Sequence, residues 1–580
     1  MVHVCVLFVL RHHIQQSQCA LLACRQRESL HGTRTKSSER NSLTCATVQP
    51  ALVKVGLKSR VNCYSTEYTY RQYWIENGKE KVTEKLKYVN KRGVAKNIIM
   101  FLGDGMSLTT LTASRIYKGQ MEKRSGENEY LSFEKFPFVG MSKTYCVDKQ
   151  VPDSACTATA YLSGVKTNFE MVGLSASVKL NDCPGSVVPG NQTESLADWS
   201  MAKGKAVGLV TTTRVTHASP AGMYAHAANR EWESDAYLSK AANITDVTQC
   251  EDIAKQLITR SPGIDLKVIL GGGREMFFLN NTDHNGSRSD MDLVQFWKKD
   301  KAKRFGNDKS AYVENREQLL NVDPSKTDYL LGLFEKRHMK FHLHADARIQ
   351  PTLMEMTKKA IDILKKEKNG FFLFVEGGLI DAGHHKTMAK LALDETVEFS
   401  KAIQQAVDMT SEDDTLIVVT SDHSHTMTMA GYPTRGNDVL STFGSLGSDN
   451  LPYTTLSYAN GPKNHQSDEN CARQDLSNVD TNDPSFTYPN MVPLKDETHG
   501  GDDVMVFARG PWAHLFSGNY EQNLIPLTMG FAAGVGPAAN LEGGPAAFTS
   551  AGFSAAAISS PLAILISVLL TTAVIQRVCL

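Results

Sequence analysis

Asn97-Ile-Ile-Met-Phe-Leu102, followed by Gly103-Asp104-Gly105 and a helical stretch from Ser107 to about Lys118, is the segment that decides the fold. A short unbroken apolar run closed by turn residues reads as a strand buried on both faces, because a strand with one wet face would alternate. The scheme recurs at Val207-Gly-Leu-Val-Thr-Thr212, Val268-Ile-Leu270 before three glycines, Phe371-Phe-Leu-Phe-Val375, Leu416-Ile-Val-Val-Thr420 and Val504-Met-Val-Phe507. Amphipathic helices lie between these runs; Leu353, Met356, Ala360, Ile363 and Leu364 fall at helical spacing. The alternation predicts an α/β domain, a doubly wound central sheet flanked by helices on both faces.

The chain has 580 residues, more than one ordinary core, which stops growing near ~250–300 residues. The strand–helix rhythm is expected to hold over 66–431 and to return at 498–540. Between them, 432–497 is rich in Gly, Ser, Asn, Asp and Tyr and reads as an inserted subdomain. Basic and acidic residues number 62 each, so no polyanion-binding surface is implied and no nucleic-acid partner is expected.

Both ends read as processing segments. Residues 1–65 read as a leader: a nine-residue apolar stretch, Val2 to Leu10, which would make a poor signal peptide, and then a polar, irregular segment over 11–65. At the other end, small residues around Ser550, a spacer of eight and the fifteen apolar residues Pro561 to Ile575 have the layout of a glycolipid-anchor signal. The tail falls short of the ~20 residues that a membrane-spanning helix needs. Residues 541–580 are therefore expected to be a GPI signal removed at Ser550, leaving the protein on the extracellular face of the plasma membrane. Sequons at Asn191, Asn243, Asn280 and Asn285 agree with a secreted chain. The eleven cysteines contain no CxxC pair, which argues against a structural zinc knot.

The polar residues gather where such a sheet binds ligands, at the carboxyl ends of its strands: Asp104 after the first run, Glu376 after Val375, Asp422 and His423 after Thr420. Asp381 and His385 sit four apart at a helix start, hence on one face. With His499 they make a three-ligand zinc site with an open position, or else a polar helix cap. Asp422 and His423 can reach one ion only if the backbone turns after the strand; Asp104 would be the third ligand and Ser154, as alkoxide, the fourth. Ser154 follows Asp153 where small residues begin a helix, and a serine without a paired histidine needs a metal to attack. Glu376, Ser219 and the far oxygen of Asp104 supply only oxygen and suit magnesium. Arg230 would offer its planar fork to two phosphoryl oxygens, or form an ordinary surface salt bridge.

Phe101-Leu-Gly-Asp-Gly-Met106, Val151-Pro-Asp-Ser-Ala155, Thr211-Thr-Thr-Arg-Val-Thr-His-Ala-Ser-Pro220, Phe374-Val-Glu-Gly-Gly378, Ser421-Asp-His-Ser-His425 and Glu497-Thr-His-Gly500 together resemble the animal alkaline phosphatases over roughly residues 66 to 530. The resemblance implies a phosphate monoesterase working through a phosphoserine at Ser154, with Arg230 gripping the phosphate. It implies one zinc on Asp381, His385 and His499, a second on Asp104, Asp422 and His423, and a magnesium on Asp104, Ser219 and Glu376. It further implies a Cys183–Cys250 disulfide, a crown subdomain at 432–497, and a homodimer embraced by a helix near residues 70 to 90. The chain departs from the family pattern at Ala382, where a histidine is usual. It departs again at Cys156, two past the nucleophile, with Cys146 placed on the strand entering the same turn. These two cysteines are expected as buried thiols, pairing being the alternative. The family's calcium site is matched only at Phe334 and Glu335, with Gln350 where an acid is expected, so calcium is left out of the expected ions. Two other readings stay open: a phosphodiesterase of the same superfamily, and a glycolipid-anchored binding protein with an impaired site.

Overall fold

The computed structural model describes residues 71–240, 249–462 and 473–545. The leader, the anchor tail with Ser550, and Asn243 lie outside the described residues. The chain divides into two compact units, residues 1–83 and 84–580. The described part of the first is the body of helix α1 (Arg71–Lys85), in which no residue is buried and Trp74, Ile75 and Val82 are exposed.

The second unit is built on ten strands: β1 (Asn97–Gly103), β2 (Phe138–Lys143), β3 (Ala206–Arg214), β4 (Val268–Gly272), β5 (Ser310–Val313), β6 (Tyr329–Leu333), β7 (Phe371–Gly377), β8 (Thr415–Thr420), β9 (Val504–Arg509) and β10 (Gly518–Glu521). Their order in the sheet is β10-β2-β9-β8-β1-β7-β3-β4-β6-β5. From β8 to β5 every pairing is parallel, whereas β9 runs antiparallel to both β8 and β2.

The apolar runs are continuous because each strand feeds two cores. Ile98, Met100 and Leu102 of β1 share one apolar cluster with Phe372, Phe374, Leu416 and Val418. Ile99 and Phe101 share the other with Leu373, Val375, Ile417 and Val419. Residues of α3 (Ser154–Ser163) and α7 (Leu524–Ala533) belong to the first layer; those of α4 (Leu353–Leu364) and α6 (Ala389–Met409) belong to the second. This is the doubly wound arrangement that the runs predict. Helix α2 (Leu108–Met121) starts where the Ser107 hydroxyl accepts from Thr110 N. Strands β2, β5 and β10 escape the sequence pattern because they lie at or near the sheet edges and are only partly buried. Strand β6 is fully buried like β4, yet its run, Tyr329 to Leu333, is missing from those read above.

Within 432–497, Leu456–Gly461 pairs with both Met427–Met429 and Asn490–Pro493, and Thr442–Leu446 pairs with Pro452–Thr454. Leu440, Leu456, Tyr458 and Tyr488 join Ala113, Ile116, Leu393 and Val397 in a third apolar cluster. The insertion therefore shares its core with α2 and α6.

One expectation is overturned. Cys146 and Cys156 are joined in a disulfide with Cα atoms 5.8 Å apart, and Cys146 lies in the loop after β2, not on the strand. The burial preference of cysteine says where the residues sit but not which other sulfur the turn brings beside them. Cys183 and Cys250 are joined as well. Of the described sequon residues, Asn280 and Asn285 are exposed, whereas the half-buried Asn191 donates its amide to Gly185 O at 2.9 Å.

Candidate metal centre

Helix α5 (Leu379–His385) leaves the carboxyl end of β7 through Gly378, and one turn sets Asp381 Oδ1 3.2 Å from His385 Nε2. His499 arrives from the far end of the chain on a two-residue strand that pairs antiparallel with Ser424–His425. Its Nε2 lies 3.4 Å from the same carboxylate oxygen and 3.2 Å from His385 Nε2. The outer nitrogens of these rings are tied down: His385 Nδ1 faces Glu497 O at 2.5 Å, and His499 Nδ1 faces Pro152 O at 2.8 Å. Each Nε2 is thus left facing its neighbours, the arrangement by which proteins orient metal-binding imidazoles.

His425 completes the cluster, and its role was not legible from its motif. Its Nε2 meets Asp381 Oδ1 at 2.7 Å and its Nδ1 meets Glu497 Oε2 at 2.5 Å. Burial alone would lower its pKa, but the two carboxylates raise it to about 10. Both ring nitrogens of His425 are thus engaged by carboxylates, and the contact from Nε2 steadies Asp381. Burial and the neighbouring His423 instead lower His499 to about 4, leaving it neutral and able to bind a metal.

The second constellation forms where β8 stops. The Ser421 hydroxyl donates within the turn and accepts from Met106 N at 2.8 Å, so the chain bends before Asp422 and His423 instead of continuing as a strand. His423 Nε2 then lies 3.1 Å from Asp422 Oδ2, 3.6 Å from Asp104 Oδ1 and 3.2 Å from Ser154 Oγ. Asp104 is followed by Gly105 at φ +66°, where a Cβ would come within 2.4 Å of the His425 ring; only glycine fits that close approach.

A third set also includes Asp104. Glu376 Oε2 accepts from the hydroxyls of Thr211 and Thr213, and its Oε1 has no partner. Both Asp104 oxygens, Asp422 Oδ2 and Ser219 Oγ are likewise buried without a hydrogen-bond partner. Buried orphan oxygens are costly, and so many in one place signal a cation that satisfies them. Burial pushes Asp104 well above its usual carboxylate range, helped by Asp422 and Asp381, and pushes Glu376 up to about 7. Cations would reverse these shifts. His217, unmarked in the sequence reading, stands with Asp104 and Glu376 in a group whose ligand atoms lie within 4.8 Å.

Ser154 opens α3, whose N-cap is Asp153. The Asp153 carboxylate accepts from Ala155 N, Cys156 N and Glu170 N, and from Arg230 Nη1 at 2.9 Å. Arg230 Nη2 lies 3.1 Å from His217 Nε2. Only 16% of the Arg230 side chain is exposed, so it is not the surface salt bridge of the simpler reading. Asp153 and Glu497 stand in motifs quoted from the sequence but were given no role there; Asp153 holds Arg230, and Glu497 holds His425 and Thr426.

A serine at the convergence of imidazoles and buried, unpartnered carboxylates, on the carboxyl edge of a doubly wound sheet, defines a hydrolytic enzyme built for divalent cations. The family model described as alkaline phosphatase matches residues 95–535, and the chain belongs to that family. It is 46% identical over 476 residues to the membrane-bound alkaline phosphatase of Bombyx mori, covering 80% of this chain and 86% of that one. It is 46% identical over 505 residues to the tissue-nonspecific isozyme of Rattus norvegicus, covering 85% and 94%. The fold is shared with the alkaline phosphatase of the Antarctic bacterium TAB5, at 20% identity and a TM-score of 0.53 over 77% of this chain and 100% of that one. The protein is accordingly an enzyme that hydrolyses phosphate monoesters.

Proposed function

We propose that hydrolysis runs through a phosphoserine on Ser154, with two zinc ions and one magnesium ion. The observation that carries this reading is the position of Ser154 Oγ, 3.2 Å from His423 Nε2 and one residue from the Asp153 that holds Arg230. The donor sets suit the ions: Asp381, His385 and His499 offer nitrogen and oxygen to one zinc, and Asp104, Asp422 and His423 to the other. Asp104, Ser219 and Glu376 offer only oxygen, as magnesium prefers. Bound there, the cations would supply Lewis-acid stabilisation of phosphoryl charge and a lowered pKa for the attacking oxygen.

The chain's own residues do the rest. Arg230, oriented by Asp153, grips two phosphoryl oxygens and leaves phosphorus open to Ser154. Ser154 Oγ bonds to phosphorus as the bond to the substrate alcohol breaks, and water then attacks phosphorus to release phosphate and restore the serine. The grip is on the phosphoryl group alone, which agrees with broad specificity for the leaving alcohol. The Bombyx mori relative is named membrane-bound, and with the carboxyl-terminal signal this supports a GPI-anchored enzyme on the outer membrane face. The exposed apolar residues of α1 suit an arm of a homodimer, and 432–497 suits the crown.

The test is hydrolysis of a chromogenic phosphate monoester at alkaline pH, before and after chelation and with zinc and magnesium restored. Ser154→Ala should abolish turnover in a protein that still folds and takes up metal through its remaining ligands; undiminished turnover would refute the assignment.

A further inference from the structure

The Cys146–Cys156 disulfide has no part in the chemistry described so far, yet it brackets the nucleophile. It joins the loop after β2 to the first turn of α3 across a separation of ten residues. Inside that loop stand Pro152, whose carbonyl faces His499 Nδ1 at 2.8 Å, and then Asp153 and Ser154. Residues 144–153 contain no helix or strand. A groove of about 550 Å³ is lined by residues 143–150 with Gly501 and Asp503, so this side of the loop borders open space and not packed core.

Both sulfurs rest on Asp153. Cys146 Sγ lies 4.0 Å from its Oδ1, and Cys156 Sγ lies 3.4 Å from its main-chain oxygen. Asp153 Oδ2 carries Arg230, and Oδ1 is shared between Cys156 N and Glu170 N. Both cysteines are only 2% exposed, so the bond is part of the wall behind the nucleophile.

We infer that the Cys146–Cys156 disulfide is a positioning element for the phosphoryl grip, holding Asp153 and, through it, the Arg230 fork and Ser154 in productive register. The inference rests on the roles proposed above for Ser154 and Arg230. Cross-linking a short loop removes its alternative conformations, and a reacting group displaced by about 1 Å can lose on the order of a hundredfold in rate.

The experiment uses the full chain loaded with zinc and magnesium. Cys146→Ala/Cys156→Ala is compared with wild type for kcat, for KM on a chromogenic monoester, for inhibition by inorganic phosphate, for metal content and for melting temperature. The expected result is wild-type metal content with phosphate inhibition weakened at least about fivefold and kcat reduced. A lower melting temperature with both constants within about twofold of wild type would overturn the inference, since a simple staple would do only that. Asp153→Ala closes the cycle: if the disulfide acts through Asp153, removing it in the Asp153→Ala background changes phosphate inhibition little, whereas fully additive losses refute the route. If the double alanine variant does not fold, the better-filled Cys146→Val/Cys156→Ala takes its place. If neither folds, wild type reduced in the folded state, with its thiols counted, is read by the same constants. Ser154→Ala separates the two proposals: its inactivity beside unimpaired disulfide variants would sink only the positioning role, and its activity would sink the nucleophile.

Discussion

Glu497→Gln exchanges a single oxygen for an amide at the residue on which the histidine-rich cluster hangs. Glu497 is 1% exposed. Its Oε2 accepts from His425 Nδ1 at 2.5 Å, and its Oε1 accepts from Thr426 N at 2.7 Å and Thr426 Oγ1 at 2.6 Å. In the variant the amide oxygen can keep both Thr426 contacts, which turns the NH2 group toward His425. An NH2 group cannot accept, so His425 must surrender its Nδ1 proton and become neutral. The bond from His425 Nε2 to Asp381 Oδ1, 2.7 Å in the native protein, then keeps its ionised acceptor but loses its cationic donor. One charge-assisted bond becomes neutral and the other keeps only its ionised acceptor, so the metal-free fold should lose on the order of 1–2 kcal/mol. Removing such outer support from a metal ligand typically costs roughly 10–100-fold in affinity, and because the geometry is kept, about tenfold is expected. Competition against a zinc-buffered indicator measures this directly, with melting curves to show that the variant is folded. Glu497→Ala should be worse, because it leaves three buried donors unpaired at ~1–3 kcal/mol each. Zinc affinity within about twofold of wild type in folded Glu497→Gln would refute the view that this carboxylate organises the cluster.

Arg230→Ala should raise KM and the phosphate inhibition constant by roughly 10–100-fold, the worth of ~1.5–3 kcal/mol for a charge-assisted grip, and steady-state kinetics at fixed pH checks it. Glu395 offers a stability test away from the site. Burial, reinforced by Asp394, pushes its carboxyl from 4.5 up to about 8. The folded chain therefore holds this proton more tightly than the unfolded one, and the stability it contributes is full below about pH 4.5 and lost as pH rises toward 8. Glu395→Gln should melt close to wild type at about pH 5 and be more stable than wild type by a few kcal/mol at about pH 9, at ~1.4 kcal/mol per pKa unit. Equal melting temperatures at the higher pH would show that Glu395 ionises freely.

What the sequence by itself determined follows from interactions spanning a few residues. The runs at Asn97, Phe371 and Leu416 had to be strands buried on both sides, because each places successive side chains in opposite apolar layers. Asp381 and His385 had to share a face because one helical turn separates them, and the strand ends had to gather Asp104, Glu376 and Asp422 at one edge. What only the tertiary structure decided depends on partners distant in the chain. His425 meets Glu497 across 72 positions, Asp153 meets Arg230 across 77, and β9 enters antiparallel between β8 and β2. Even Cys146 and Cys156, only ten positions apart, pair because an irregular loop happens to fold back over Asp153. Side-chain polarity and periodicity act within a turn or a strand, so they can be read along the chain. Which carboxylate ends up against which ring depends on how the layers stack, and that is settled by packing over the whole domain.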